Sequence, residues 1–312
     1  MIYLEIKGRF GNQFFRYAFA RWLQIKRGRN EKIMLGFSNM KGRDANDGWV
    51  DSLIDFQTLG YTVSNQRLVY KYGNILQIFF DSLYFIDQKI LCHNNRYKRI
   101  LHASKWIPFL NKLGLIHNVE QYHDYIIPST KNIFVDGDFQ CSKYFNDIRD
   151  VLLAEFQPKQ DTLPHNIELL NIIKNNNSVC ISIRRGDYIS VPEFNKEYNI
   201  CTKEYFNKAV ATIRQKVDKP YFIIFSDDID WCKQNVNFGP YTFYEKGDDP
   251  IWEKIRLMSS CKHFVLSNSS FSWVAYYLGK YKGKIVVSPD RWYNDSKYPN
   301  YLIENDFIKI PV

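Results

Sequence analysis

The amino-acid sequence predicts an α/β protein whose second half is a doubly wound parallel sheet. Short apolar runs without polar alternation recur through that half, and such runs are typical of strands that helices cover on both faces. Longer segments with apolar residues at helical spacing separate the runs. Polar clusters follow three of the runs, at the strand ends where open α/β sheets bind their ligands.

The composition is that of a folded protein of enzyme size. The chain has 312 residues, of which 45% are hydrophobic and 17% aromatic, so we expect two domains that need no disulfide or metal to fold. These values exclude collagen, coiled coil and overall disorder. No run approaches the ~20 apolar residues of a membrane-spanning helix, and residues 1–7 alternate like a strand rather than a secretion signal. We therefore expect a cytoplasmic protein.

The first half combines strands with a long aromatic region. A strand at residues 2–6 leads through a glycine-rich turn into a helix at residues 12–27, where Phe15, Phe19 and Leu23 recur at helical spacing. Two prolines in segment 157–165 predict a domain boundary there. The other predicted elements are a strand at 33–35, an aromatic helical region at 50–115, a strand at 132–135 and a helix at 142–156.

The second half alternates strands and helices regularly. Residues 1–160 are therefore predicted to form an α/β domain with a helical, aromatic and basic insertion, and residues 161–312 a Rossmann-like domain. The predicted strands of the second half are 178–183, 221–225, 241–244, 263–266 and 284–287, and its helices are 202–217, 228–235, 249–261 and 270–278.

The net charge of +9 favours anionic ligands in general. Residues 67–112 carry eight Lys and Arg against the acids Asp81 and Asp87. This distribution fits a solvated basic face, and it also fits a surface that contacts anionic membrane. A non-enzymatic nucleic-acid-binding protein is a further alternative, but the sequence has no recognisable DNA- or RNA-binding motif, so no nucleic-acid partner is expected.

Two patterns bear on metal binding. The six cysteines are irregularly spaced and form no C-x-x-C pair, which indicates reduced thiols. A predicted strand runs into Asp136-Gly-Asp138, the pattern of a metal-dependent sugar transferase that holds Mn²⁺ or Mg²⁺ on two carboxylates. Because Asp-x-Asp is short and frequent, this enzyme class is kept only as the alternative, and no metal site is predicted.

Two adjacent arginines, Arg184 and Arg185, follow the strand predicted at 178–183. Like charges this close repel each other unless an anion lies opposite, and a guanidinium group can bind phosphate at two points. Gly186 permits close backbone approach, and Asp187 can orient an arginine or act as a base. The motif predicts a pyrophosphate site, with an internal Arg–Asp salt bridge as the alternative.

Two strand-to-helix turns are further candidate sites. The run from Ser267 to Phe271 precedes the last predicted helix, where free backbone N–H groups can bind phosphate, although these residues could serve only to cap the helix. The run from Gly8 to Gln13 has the spacing of neither a dinucleotide fingerprint nor a P-loop. Asn12 and Gln13 could present their amides to a ligand in a cleft between the domains.

Four motifs together resemble those of a known family. They span residues 8–273 in the family's order and are similar to the α-1,2-fucosyltransferases, glycosyltransferase family 11. The motifs are Gly8-Arg-Phe-Gly-Asn-Gln-Phe-Phe-Arg-Tyr-Ala-Phe-Ala20, Ile181-Ser-Ile-Arg-Arg-Gly-Asp-Tyr188, Phe225-Ser-Asp-Asp228 and Ser267-Asn-Ser-Ser-Phe-Ser-Trp273.

The resemblance implies a GT-B architecture, in which two Rossmann-like domains enclose a cleft. Residues 1–160 would bind the acceptor and residues 161–312 the donor, GDP-L-fucose; whether the last segment packs back on the first domain is left open. The implied reaction is inverting transfer of fucose to the 2-hydroxyl of a galactose, without metal or another cofactor. A lipid-linked oligosaccharide, a free lactose-like sugar and a surface polysaccharide repeat are all compatible acceptors, and the protein could act at the inner face of the membrane.

The resemblance also implies roles for single residues. Arg185, with Arg184 in support, would stabilise charge on the departing β-phosphate, and Asp187 would act as base or, like Asn12, only position groups. Asp227 would accept hydrogen bonds from guanine, and Asp228 would cap the next helix. Ser182 stands where many members have a histidine that faces the nucleotide. The donor-binding set is Gly11, Asn12, Gln13, Ser182, Arg184, Arg185, Asp227, Ser267, Asn268, Ser269, Ser270 and Phe271.

Overall fold

A computed structural model describes residues 1–28, 31–45, 48–92 and 95–312, which divide into two units. Unit 1 comprises Met1–Ile54 and Thr58–Glu155, and unit 2 comprises Asp55–Gln57 and Phe156–Val312. The main boundary therefore lies between Glu155 and Phe156, whereas the sequence predicted it between residues 160 and 161.

Unit 1 contains a parallel sheet of five strands among its described residues. The strands lie in the order β3-β2-β1-β5-β4, and β1 and β4 are buried at every position, including the polar residues Glu5, His117 and Asn118. The strands are β1 (Ile2–Glu5), β2 (Ile33–Gly36), β3 (Tyr61–Ser64), β4 (Leu115–Asn118) and β5 (Ile133–Gly137). The helices are α1 (Phe10–Lys26), α2 (Leu68–Tyr72), α3 (Ile75–Ile86), which continues into a π-helical turn (Asp87–Leu91), α4 (Arg96–Lys112) and α5 (Arg149–Glu155).

Unit 2 contains a parallel sheet of six described strands in the order β11-β10-β9-β6-β7-β8. The strand order reverses between β6 and β9, so this is the doubly wound sheet that the sequence predicts. The strands are β6 (Asn177–Ile183), β7 (Pro220–Ser226), β8 (Thr242–Tyr244), β9 (His263–Val265), β10 (Val286–Pro289) and β11 (Ile308–Ile310). The helices are α6 (Ile167–Asn175), α7 (Gly186–Ser190), α8 (Pro192–Tyr198), α9 (Lys203–Lys216), α10 (Ile229–Asn235), α11 (Ile251–Ser260) and α12 (Ser270–Leu278).

Several predicted elements need correction. The region 50–115 is not helical throughout, because β3 lies within it, and β3 escaped prediction because Thr62 and Val63 are exposed and break the apolar run. The helix predicted at 142–156 begins only at Arg149, after two short 3₁₀ helices. The segments that form β4, α6, α7, α8 and β11 were not predicted as these elements. None of the helices in the described part of the chain is long and apolar enough to cross a membrane.

All six cysteines are free thiols, and five of them are buried. Burial raises the pKa of Cys232 to about 11 and the pKa of Cys201 to about 12, since a thiolate is poorly solvated in the interior. These thiols are therefore protonated at neutral pH.

Candidate active site

The arginine pair lies at the carboxyl end of β6, beside the point where the strand order of unit 2 reverses. Arg184 is held between two carboxylates. Its Nη1 is 2.7 Å from Asp227 Oδ2, and its Nη2 is 2.5 Å from Asp187 Oδ1. Burial would lower the pKa of Arg184, but the two carboxylates outweigh burial and raise it. Arg184 is therefore a fixed cation whose terminal nitrogens are both engaged within the protein.

The Arg185 side chain is held at Nε, whereas Arg184 is held at its terminal nitrogens. Its Nε lies 3.0 Å from Asp228 Oδ2, and its guanidinium carbon lies 3.5 Å from the centre of the Trp231 ring. Stacking on the indole fixes the plane of the guanidinium group. Within the described residues, the hydrogen bond and salt bridge of this side chain use Nε and leave Nη1 and Nη2 available. Arg185 thus presents a fixed pair of donors of the kind that binds phosphate.

Gly186 lies against the carboxylate of Asp227. A Cβ atom at Gly186 would lie 2.4 Å from Asp227 Oδ2. The other oxygen, Oδ1, accepts a hydrogen bond from the Arg185 backbone N–H at 2.9 Å. Both oxygens of Asp227 therefore brace the turn that carries the two arginines, whereas the resemblance implies that this carboxylate binds guanine.

Asp227→Asn tests which of these two roles holds. If Asp227 acts through the arginine turn, the amide should weaken binding of GDP and ADP equally, by about tenfold, because the lost ion pair with Arg184 affects only the pyrophosphate. Isothermal titration with both nucleotides measures this. Asp230→Asn is the matched control, since Asp230 lies on α10, is 84% exposed and forms its ion pair with Lys233. If the affinity falls for GDP and not for ADP, Asp227 binds the guanine base.

The carboxylate of Asp228 contacts both α10 and Arg185. It is the N-cap of α10, where its Oδ1 accepts a hydrogen bond from the Trp231 N–H at 3.4 Å, so the predicted cap is confirmed. Its Oδ2 holds Arg185. Trp231 lies three residues after Asp228, and this short spacing is the only sequence signal that could have identified it as the platform for Arg185.

The turn from Ser267 to Phe271 follows β9, which pairs with β6. Asn268 is buried, and its amide donates to the Tyr198 and Trp292 carbonyls at 2.9 Å each, so it holds the turn in place. Ser269 is the N-cap of α12 without a side-chain capping bond. The Ser267 hydroxyl is buried and has no hydrogen-bond partner among the described residues. The start of α12 therefore keeps backbone N–H groups that could bind an anion.

Tyr188 connects the serine turn to the arginine turn. Its hydroxyl donates to the Asn268 carbonyl at 3.0 Å, and its ring lies 5.4 Å from the Arg184 guanidinium. The structure thus brings together the two motifs that the sequence placed at one sheet edge. Ser182 is buried one residue before the end of β6, beside Phe225 of β7.

A cavity of about 480 Å³ opens beside Arg185 within unit 2. Its volume is in the range of small-molecule sites. Both arginines and Lys203 supply positive charge to its wall, Trp231 supplies an aromatic surface, and Asn207 and Asn235 supply amides. Lys203 and the two asparagines lie outside the sequence motifs and were missed for that reason.

The glycine-rich turn of unit 1 places Asn12 and Gln13 differently. Gly8 adopts a φ of +83°, and a Cβ atom there would lie 2.4 Å from Asn12 Nδ2. Gln13 is completely buried; its amide donates to the Gly8 and Val50 carbonyls at 2.9 and 2.7 Å and so fixes the loop. Asn12 is half-buried and accepts a hydrogen bond from Gln140 at 2.9 Å. Gly11 is buried in the first turn of α1.

The Asp-x-Asp pair of unit 1 is bound to arginines. Arg16 Nη1 and Nη2 lie 3.0 Å from Asp136 Oδ1 and Asp138 Oδ1, and Arg67 Nη1 lies 3.2 Å from Asp136 Oδ2. Burial would raise the pKa of Asp136, but Arg16, Arg67 and His117 outweigh burial and lower it to about 2. Guanidinium groups thus occupy both oxygens of Asp136 and one oxygen of Asp138, and the metal-dependent alternative is not supported.

A second group of potential metal ligands is found among the described residues. Asp87, Cys92 and His102 have donor atoms within 4.8 Å of one another. They supply three ligands, one fewer than a closed structural zinc site. The His102 ring nitrogen already lies 3.2 Å from Asp87 Oδ1.

The two parallel sheets and the strand-end site define a class of protein. A solved structure, "NodZ alpha-1,6-fucosyltransferase soaked with GDP-fucose", superposes with a TM-score of 0.50 at 11% identity and covers 93% of this chain and 94% of its own. This likeness, together with the two sheets, identifies the GT-B fold. The family model of glycosyl transferase family 11 matches residues 1–309, so the chain belongs to that family.

Two relatives illustrate the activities within the family. Alpha-1,2-colitosyltransferase of Escherichia coli is 27% identical over 306 residues, which cover 94% of this chain and 92% of the relative. Human galactoside alpha-(1,2)-fucosyltransferase 1 is 26% identical over 172 residues, which cover 51% of this chain and 46% of the relative. The names of both relatives state an α-1,2 linkage, and they differ in the sugar that is transferred.

Proposed function

We propose that this protein transfers L-fucose from GDP-L-fucose to the 2-hydroxyl of a galactose in a glycan. The observation that carries the proposal is Arg185, whose two terminal nitrogens are held in a fixed plane at the carboxyl end of β6. Membership of family 11 supports sugar transfer, and the names of the two relatives support the α-1,2 linkage. The motifs that resemble the α-1,2-fucosyltransferases support fucose as the transferred sugar.

The geometry suggests how the chain assists the reaction. As the bond between fucosyl C1 and the β-phosphate oxygen breaks, the sugar becomes oxocarbenium-like and negative charge grows on the phosphate. Arg185 donates two hydrogen bonds to that charge, and the start of α12 binds the other phosphate. Arg184, paired with Asp187 and Asp227, keeps the turn in place. In this proposal the arginines perform the role of a divalent cation.

The same proposal covers the attack of the acceptor hydroxyl and the group that takes its proton. The acceptor oxygen bonds to C1 on the face opposite the departing phosphate, which inverts the anomeric centre. Its proton passes to a base, and the candidate base in unit 2 is Asp187. Asp187 Oδ1 lies 2.5 Å from Arg184 Nη2. Asn12 is proposed only to position groups.

The decisive experiment incubates the pure protein with GDP-fucose and a panel of galactosides, with and without EDTA, and identifies the linkage formed. We expect a fucosyl-α-1,2-galactose product at equal rates in both conditions. The opposite result has three parts: EDTA stops product formation, Mn²⁺ restores it, and Asp136→Asn abolishes the restored activity. That result would assign the active site to the Asp-x-Asp pair instead. The panel compares soluble galactosides, lipid-linked galactosides and polysaccharide repeats.

The identity of the donor sugar is tested in the same assay. Colitose is fucose without its 3-hydroxyl group, so the two donors differ by one polar contact. A site that hydrogen-bonds this hydroxyl rejects the deoxy sugar strongly, whereas a site without that contact accepts both sugars. A higher kcat/KM for GDP-fucose than for GDP-colitose supports the proposal, and the reverse order would make the protein a colitosyltransferase.

A further inference from the structure

Helix α3 of unit 1 turns polar residues toward the core and apolar residues toward solvent. The residues that it buries are Gln77, Asp81 and Tyr84. Ile75, Phe79 and Ile86 share a face at helical spacing, and they are 85%, 54% and 51% exposed. A surface helix ordinarily turns its apolar residues toward the core, so this outward face indicates an interaction surface.

The apolar face continues onto the neighbouring elements. Phe79 contacts Phe80, and Phe80 contacts Phe109 of α4, with ring centres 5.2 and 4.7 Å apart. The exposed residues of α3, the π-helical turn and α4 are here named the α3–α4 surface. Its exposed apolar members are Ile75, Leu76, Phe79, Ile86, Ile90, Leu91, Tyr97, Leu101 and Phe109.

The exposed charges of the α3–α4 surface are all positive. The two acids in residues 68–92 and 95–112 are buried: Asp81 pairs with Arg67 and Asp87 pairs with His102. Six exposed cations lie on these elements or next to them in the chain, and within these described ranges no acid is exposed. The exposed cations next to or on the surface are Lys71, Lys89, Lys98, Arg99, Lys105 and Lys112.

We propose that the α3–α4 surface docks on a lipid bilayer that carries anionic headgroups. Isoleucine and phenylalanine side chains enter the boundary between headgroups and acyl chains, while the lysines contact lipid phosphates. A second copy of this chain is a poor occupant, because two such surfaces would place like charges face to face. Docking of this kind holds unit 1 at the membrane and does not depend on which sugar is transferred.

Vesicle co-sedimentation of the full chain tests the proposal. The wild type should bind phosphatidylcholine vesicles that contain phosphatidylglycerol, bind pure phosphatidylcholine weakly and dissociate in high salt. Two double variants, Ile75→Glu with Phe79→Glu and Lys98→Glu with Lys105→Glu, should each lower partitioning at least about tenfold. Equal thermal unfolding of all proteins shows that the variants are folded.

Matched controls come from unit 2. Ile167→Glu replaces an isoleucine that is 51% exposed on α6, and Lys280→Glu with Lys282→Glu reverses two exposed cations. Both control proteins should bind anionic vesicles as the wild type does. The proposal is overturned if the wild type ignores anionic vesicles or if the α3–α4 variants bind as well as the controls. Dimerisation that Phe79→Glu abolishes, without vesicle binding, would assign the surface to a second copy instead.

Discussion

Arg185→Lys is expected to slow sugar transfer about 100- to 1000-fold while leaving the protein folded. Lysine keeps the charge but loses the Nε contact with Asp228, the stacking on Trp231 and the second donor to phosphate. Because the phosphate gains charge as the sugar departs, the lost contacts matter most in the transition state. Steady-state kinetics with GDP-fucose should therefore show a larger fall in kcat than rise in KM.

Arg256→Lys is the matched control for this prediction. Arg256 also belongs to unit 2; its Nε lies 3.0 Å from Glu253, and its guanidinium group lies 5.5 Å from the Trp252 ring. It does not line the cavity beside Arg185. Its replacement should leave kcat within a few-fold of the wild type. The same kcat in Arg185→Lys and wild type would remove Arg185 from the proposed mechanism.

The largest loss of stability is expected from Arg16→Met. Arg16 is almost fully buried, binds Asp136 and Asp138, and donates to the Glu5 carbonyl at 2.8 Å. Methionine leaves the carboxylates with one cation fewer, and breaking a buried ion pair in this way costs about 3–5 kcal/mol of unfolding free energy. Urea denaturation measures the loss. Arg16→Met combined with Asp136→Asn should recover part of it, because one of the two carboxylate charges that lost the Arg16 cation is removed as well.

Because of the same ion pair, the stability of unit 1 should depend on pH in the acid range. The pKa of Asp136 falls from 3.8 to about 2 in the folded chain. A lowered carboxyl pKa stabilises the fold above the unfolded value and loses that contribution as the pH falls toward the folded value. The contribution amounts to about 2 kcal/mol and should vanish between about pH 4 and pH 2. Unfolding curves in which Arg16→Met costs as much at pH 2 as at pH 7 would contradict this account.

The strands most readily predicted are the buried ones at the centre of the unit 2 sheet, although the buried β4 was missed and the edge strand β8 was predicted. β6 and β7 are apolar along most of their length because helices cover both faces, so their runs stand out. β3 and β11 lie at sheet edges and expose Val63 and Lys309, so their sequences do not differ from those of loops. Edge strands are recognised by their pairing partners, and the partners are distant in the chain.

The residues of the candidate site also differ in how far the sequence predicts them. The arginine and serine turns were predictable because each directly follows a buried strand, and parallel strands end at one edge. The place of Asp227 against Gly186 depends on a distance between two strand ends, which spacing along the chain does not encode. The buried amide of Gln13 likewise bonds to Val50, 37 residues away.

The buried thiols give each unit an internal reporter of opening. Cys141 is buried in unit 1 and Cys180 in unit 2, where burial raises the pKa of its thiol well above the usual value. An alkylating reagent needs an accessible thiolate, so each cysteine is modified only when its own unit opens. Labelling followed by peptide mass analysis therefore separates the opening equilibria of the two units within one unmodified chain, where a single melting temperature would average them.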